Sequence, residues 1–143
     1  MPDEQLLTIA REMASAGRPF VLATVDEADV PQVRWMGACA LEEPLTFWMA
    51  AGATSPKMDQ IRGNPAAQVM FSDESFGRVC NITGVCEVVD DMERKRRLWE
   101  TMPALAHYLS GPDDPNFGLL KFVARRVALL DMKQGMEPKT TEL

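Results

Sequence analysis

Two hydroxyls and an ammonium fall within the four residues Thr54-Ser55-Pro56-Lys57. They stand between an apolar run over residues 45–51 and Met58-Asp59-Gln60-Ile61-Arg62-Gly63, which reads as a short helix closed by glycine. Ser55 is a favoured N-cap residue and Pro56 suits the first helical turn. Backbone N–H groups left free at such a turn point outward, and the helix dipole favours an anion there. With the Thr54 and Ser55 hydroxyls and the Lys57 charge added, the segment makes a cradle for a phosphate, and so for a phosphorylated ligand or cofactor. The same residues also fit a plain capped helix with a solvated lysine, and the segment alone does not separate the two.

The elements that must hold this segment follow from periodicity. Leu6, Leu7, Ala10, Met13 and Ala14 recur at helical spacing and Gly17 stops the run, so residues 3–16 read as an amphipathic helix. Short β-forming runs over 20–25, 30–40 and 45–51 are joined by turns and should pair antiparallel. In the third run Phe47 and Met49 share a face and Trp48 takes the other. Further strands are expected at 66–72, 77–89 and 119–132, with Gly84 marking a bulge or bend in the long one. Asp90, with Glu93 three residues on, predicts a capped helix whose apolar face holds Trp99 and Met102, and which Pro103 kinks or divides. The tail, 133–143, is expected to fray. The fold class is then α+β, mainly β: a six-stranded antiparallel barrel with flanking helices, in a single domain over residues 1–143.

Composition narrows the partners. A net charge of −6 argues against nucleic acid or an anionic membrane as a partner. The basic run Arg94-Lys95-Arg96-Arg97 reads as a solvated helix face. No segment is long and apolar enough to span a bilayer, and residues 1–16 lack the apolar core of a signal peptide. Cys39, Cys80 and Cys86 have no C-x-x-C spacing, and His107 is the sole histidine, so no metal site is expected. Free thiols in apolar surroundings fit a reducing, cytoplasmic location.

Several blocks together resemble the FMN-binding split-barrel proteins of the pyridoxamine 5'-phosphate oxidase-like family, nearest its general stress protein 26-like branch. They are Ala23-Thr24-Val25-Asp26 with Val30-Pro31-Gln32-Val33-Arg34-Trp35-Met36; Ser55-Pro56-Lys57 with Ile61-Arg62-Gly63-Asn64-Pro65; Ile82-Thr83-Gly84 with Val88-Val89-Asp90-Asp91 and Leu98-Trp99; and Asp114-Pro115 with Leu119-Leu120-Lys121. The resemblance implies a split barrel and a homodimer with FMN at the interface. Carried over by position, Ser55 and Lys57, helped by Thr54, would hold the FMN phosphate. Arg34 would contact the phosphate or ribityl chain, and Trp35 and Met36 would lie along the flavin. Arg34 and Met36, two apart, face one side of their strand.

The resemblance stops short of vitamin B6 oxidation. No Tyr-x-x-x-Arg-Pro segment occurs, Tyr108 is the sole tyrosine, and Pro56 stands where the phosphate block usually carries a basic residue. Ala50-Ala51-Gly52-Ala53 offers little side-chain chemistry, leaving backbone groups or an open pocket beside a ring. The leading expectation is a flavin-dependent oxidoreductase of unknown substrate with no assigned catalytic residue. A non-catalytic flavin binder is the alternative, and the same barrel holding a deazaflavin or haem is a third.

Overall fold

The computed structural model describes residues 2–143; Met1, the first residue of the expected N-terminal segment, lies outside them. The chain runs α1 (Glu4–Ala14), β1 (Phe20–Val25), β2 (Pro31–Met36), β3 (Ala40–Glu42), β4 (Thr46–Gly52), α2 (Pro56–Gly63), β5 (Ala66–Ser72), β6 (Arg78–Val89), α3 (Met92–Thr101), a 3-10 segment (Pro103–His107), β7 (Phe117–Asp131) and β8 (Lys139–Glu142). The strands form one antiparallel sheet in the order β2-β1-β5-β6-β7-β4-β3, with β8 added to β7. The sheet curls without closing, so the mainly-β, flanking-helix class holds, with eight strands in place of the expected six.

Both extra strands have local causes. The run over 30–40 is not one strand. Its first part pairs with β1, and Ala40 to Glu42 pair with β4 at the opposite edge of the sheet. Residues 37–39 cross the gap between those edges, and Gly37 begins the crossing with open space around its α-carbon. The tail does not fray either. Residues 139–142 pair with the second half of β7, and the buried Thr141 hydroxyl accepts a hydrogen bond from the Asp3 N–H at 2.8 Å. That ties β8 to the cap of α1, where the Asp3 carboxylate accepts from the Leu6 N–H.

A bulge interrupts the β6–β7 ladder between Thr83 and Gly84, as the mid-strand glycine predicts. A β-carbon at Gly84 would collide with the Val123 carbonyl oxygen, so only glycine lets the two strands approach here. The α3 cap is Asp91, one residue later than expected. Its carboxylate accepts from the Arg94 N–H at 3.0 Å, and adjacent aspartates offer the backbone two equivalent caps.

Two apolar clusters position everything else. The larger fills the barrel and includes Phe20, Leu22, Phe47, Met49, Ile82, Phe122 and the α2 residues Met58 and Ile61. The smaller lies on the outer face, where Leu98 of α3 and Leu105 of the 3-10 segment cover Trp48, Phe117 and Leu119. The alternation in β4 decides this division: Phe47 and Met49 face in, Trp48 faces out. Helix α2 is seated on β7 at Gly118, where a β-carbon would meet Met58 Cε at 2.6 Å and Ala51 O at 2.9 Å.

Candidate functional site

Strand β4 passes directly into α2 through residues 53–55. Ser55 occupies the N-cap position with extended backbone, but its side chain does not cap. The hydroxyl instead donates to the Gly52 carbonyl at 2.8 Å and accepts from Lys57 Nζ at 3.2 Å. Pro56 has no N–H, and the Met58 N–H donates to Ser55 O. Among the described residues the Lys57 N–H has no acceptor, so it remains free at the positive end of the helix dipole. Thr54 is exposed beside it.

Arg34 reaches the same corner from β2. Nη1 donates to Leu22 O at 3.2 Å and to Thr24 Oγ1 at 2.8 Å, and Nη2 donates to Gln60 Oε1 at 3.1 Å. The Thr24 hydroxyl in turn donates to Gln60 Oε1 at 2.6 Å. A closed polar triangle therefore fixes the guanidinium against α2. Three of its five N–H groups are used and two are left over. Every acceptor in this triangle is neutral.

Neither Arg34 nor Lys57 forms an ion pair among the described residues. Burial lowers the pKa of Lys57 below the ordinary lysine value, and the Arg34 charge lowers it further. Burial also lowers the pKa of Arg34, whose guanidinium nevertheless stays charged. Two partly buried cations without a carboxylate repel each other, and an anion between them would relieve that repulsion. The basic run of α3 behaves otherwise. Arg94 pairs with Glu42, Lys95 with Asp90 and Arg97 with Glu93, so three of its four cations are compensated from within the chain.

The structure brings Arg34, Ser55 and Lys57 together, with Thr54 alongside. Met36 shares the inward face with Arg34 and is buried in the barrel core, 7% exposed. Trp35 points to the other face of β2 and is 69% exposed, as is Val33. Thr24 and Gln60 do not stand out in the sequence. A polar threonine at an inward β1 position and a glutamine three residues after Lys57 on α2 were the available signals.

Cys39, Cys80 and Cys86 are free, and burial pushes each thiol up to about 12, so none is poised as a nucleophile. No group of metal-ligating side chains occurs among the described residues. No described helix is long and apolar enough to cross a membrane.

An open antiparallel barrel with a helix inserted after β4 and a cationic corner at its start defines the split-barrel class. The chain belongs to the pyridoxamine 5'-phosphate oxidase-like family: the family profile described as pyridoxamine 5'-phosphate oxidase matches residues 9–131. Solved structures share the fold. The general stress protein 26 of Bacillus anthracis str. Sterne is 23% identical, with a TM-score of 0.79 and 98% of each chain covered. A NimC/NimA family protein of Clostridium acetobutylicum is 25% identical, with a TM-score of 0.79, covering 96% of this chain and 93% of that one. A pyridoxamine 5'-phosphate oxidase-related, FMN-binding protein of Nostoc punctiforme PCC 73102 is 18% identical, with a TM-score of 0.70, covering 98% and 93%. No curated protein matches the chain.

Proposed function

We propose that the protein binds FMN and acts as a flavin-dependent oxidoreductase. The observation that carries this reading is the uncompensated pair Arg34 and Lys57 at the α2 N-terminus, with the Lys57 N–H and two guanidinium N–H groups spare. That donor set suits a phosphate dianion. Lys57, Ser55 and Thr54 would hold the phosphate, and Arg34 would reach the phosphate or the adjoining chain. The FMN-binding relative from Nostoc punctiforme supports the choice of ligand. β3 pairs with β4 only as far as Trp48, while β7 accompanies it to Gly52, so residues 49–52 keep one strand edge without a partner. Backbone groups on that edge are available to the polar rim of a flavin ring. When bound, FMN supplies hydride and single-electron transfer, and the chain's task is to bind, orient and shield.

Homodimerisation belongs to the same reading. Val33 and Trp35 form an exposed apolar pair on an edge strand, a surface that a second copy would cover. Buried free thiols favour a cytoplasmic setting.

The test is a visible spectrum and an FMN titration of the purified protein, followed by NAD(P)H turnover. Uptake of FMN with micromolar or tighter affinity is expected. A colourless protein that ignores FMN would refute the proposal. A non-catalytic flavin binder is the second reading, favoured because the side chains that meet Arg34 and Lys57 are neutral hydroxyls and an amide, with no carboxylate or imidazole among them to move a proton. FMN uptake without turnover would select it, and measurable turnover would remove it.

A further inference from the structure

The residues of β4 change abruptly in size. Phe47-Trp48-Met49 fill the two apolar clusters, and Ala50-Ala51-Gly52 follow with almost no side chain. The 3-10 segment and the turn after it do not collapse onto these small residues. A pocket of about 370 Å³ remains, floored by residues 50–52 and walled by Leu105, Tyr108, Leu109 and Asn116. We infer that this pocket takes the small-molecule partner of the proposed flavin, and that this partner is an uncharged, planar, mostly apolar ring compound bearing a carbonyl or hydroxyl group.

The charge distribution selects the ligand class. No charged side chain lines this pocket among the described residues. The other cavities differ. The one over β6 and β7 presents Glu87, Lys121 and Arg125. The one beside α2 presents Asp26, Glu27, Asp29 and Asp59. A carboxylate or phosphate entering between Leu105, Leu109 and the alanines would lose part of its hydration and meet no charged side chain in the lining. A neutral ring would lose little and gain apolar contact. The volume lies near the lower end of small-molecule sites, roughly 300–1,000 Å³.

Two exposed side chains stand at the rim, where a bound ring could meet them. Tyr108 is 81% exposed, and its nearest aromatic neighbour is His107, edge-on at 6.4 Å. The Asn116 backbone is engaged, its N–H by Asp114 and its carbonyl by Ala53, but its side-chain amide has no partner among the described residues. It offers one donor and one acceptor function to a ligand carbonyl or hydroxyl. Gly52 links pocket and corner: it lines the former, and its carbonyl accepts from both the N–H and the hydroxyl of Ser55. A compound here would adjoin the unpartnered edge of residues 49–52.

The role as flavin partner rests on the proposed function; the pocket's ligand class does not, and the test separates them. The probes are 2-naphthol and 2-naphthoate, one ring system with and without a charge, measured by equilibrium dialysis at pH 7 with and without saturating FMN. 2-Naphthol should bind at one site, and Tyr108→Ala should weaken it about fivefold, the loss of one aromatic contact. Any Tyr108-dependent binding of 2-naphthoate should be weaker by about tenfold or more, the penalty for burying an unpaired charge. Asn116→Arg, at an exposed position, should bring 2-naphthoate into the pocket and reverse the preference. The inference is overturned if 2-naphthol does not bind, if its affinity ignores both variants, or if 2-naphthoate binds equally well in the same Tyr108-dependent way. If FMN binds and 2-naphthol does not, the pocket inference alone falls. If 2-naphthol binds and FMN does not, the flavin reading falls and the ligand class stands.

Discussion

Two gatherings of positive charge differ in how the fold treats them, the corner between β2 and α2 and the exposed face of α3. On α3 the cations answer to carboxylates: Arg94 to Glu42, Lys95 to Asp90, Arg97 to Glu93. Arg94 also lies over the Trp48 ring, 4.3 Å from its centroid, so its charge helps hold helix to sheet. At the corner Arg34 and Lys57 answer only to neutral oxygens, and burial and mutual repulsion lower the Lys57 pKa. The four-residue basic run is the louder signal in the sequence, yet three of its four cations are spent on internal pairing and the fourth, Arg96, stands exposed. Charge that the fold leaves unbalanced, at some expense to its own stability, is the better mark of a binding site.

Removing cations one at a time should expose this difference, most strongly at the corner. Lys57→Ala should weaken FMN by about 2 kcal/mol, or roughly 30-fold, the scale of a hydrogen bond to a charged group. Isothermal titration calorimetry measures it. Arg96→Ala, on the exposed α3 face, should leave the same affinity unchanged. Thr24→Val removes one side of the triangle that fixes Arg34 and should cost about 1–2 kcal/mol of FMN affinity, with a smaller effect on folding. An unaltered affinity in Thr24→Val would mean that Arg34 does not depend on its anchors.

Stability should respond in opposite senses at the two sites. Arg94→Met should lower the unfolding free energy by about 1 kcal/mol, through loss of the Glu42 pair and the Trp48 contact, as read from urea denaturation. Lys57→Met should slightly raise the melting temperature of the ligand-free protein, because the folded state disfavours that charge. The linkage has a definite sign. A lysine whose folded pKa lies below its unfolded value of 10.5 binds more protons when unfolded. Stability from this residue should therefore increase as pH rises through the folded pKa toward 10.5, while anion affinity falls over the same window. A Lys57→Met protein less stable than its parent would contradict the idea that the corner is held at a cost.

How much of this was legible beforehand differs by element. The strands over 20–25 and 66–72 announce themselves as β-forming runs and the one over 77–89 through alternation, and the Gly84 bulge through a glycine in mid-strand. The division of residues 30–40 was not legible. Nothing in their composition says that Met36 and Ala40 lie at opposite edges of the sheet, because pairing partners are set by strands distant in the sequence. β8 escaped notice because Lys-Thr-Thr-Glu is polar; its place comes from the unpartnered half of β7 and from the Thr141 hydroxyl. At the corner Ser55 and Lys57 were visible from residue type and spacing, and Arg34 from the family resemblance. Thr24 and Gln60, 36 residues apart, became recognisable as one unit only when folding set their oxygens 2.6 Å from each other.

The three-residue crossing from β2 to β3 also works as a ruler. Met36 ends β2 and Ala40 begins β3, at the two edges of the open sheet, and four residue steps can stretch to about 14 Å and no further. The separation of the two sheet edges at this point is therefore capped by the covalent chain itself. Lengthening that tether by two glycines after Gly37 would loosen the limit on width while leaving the cations, the pocket and the packed interior in place.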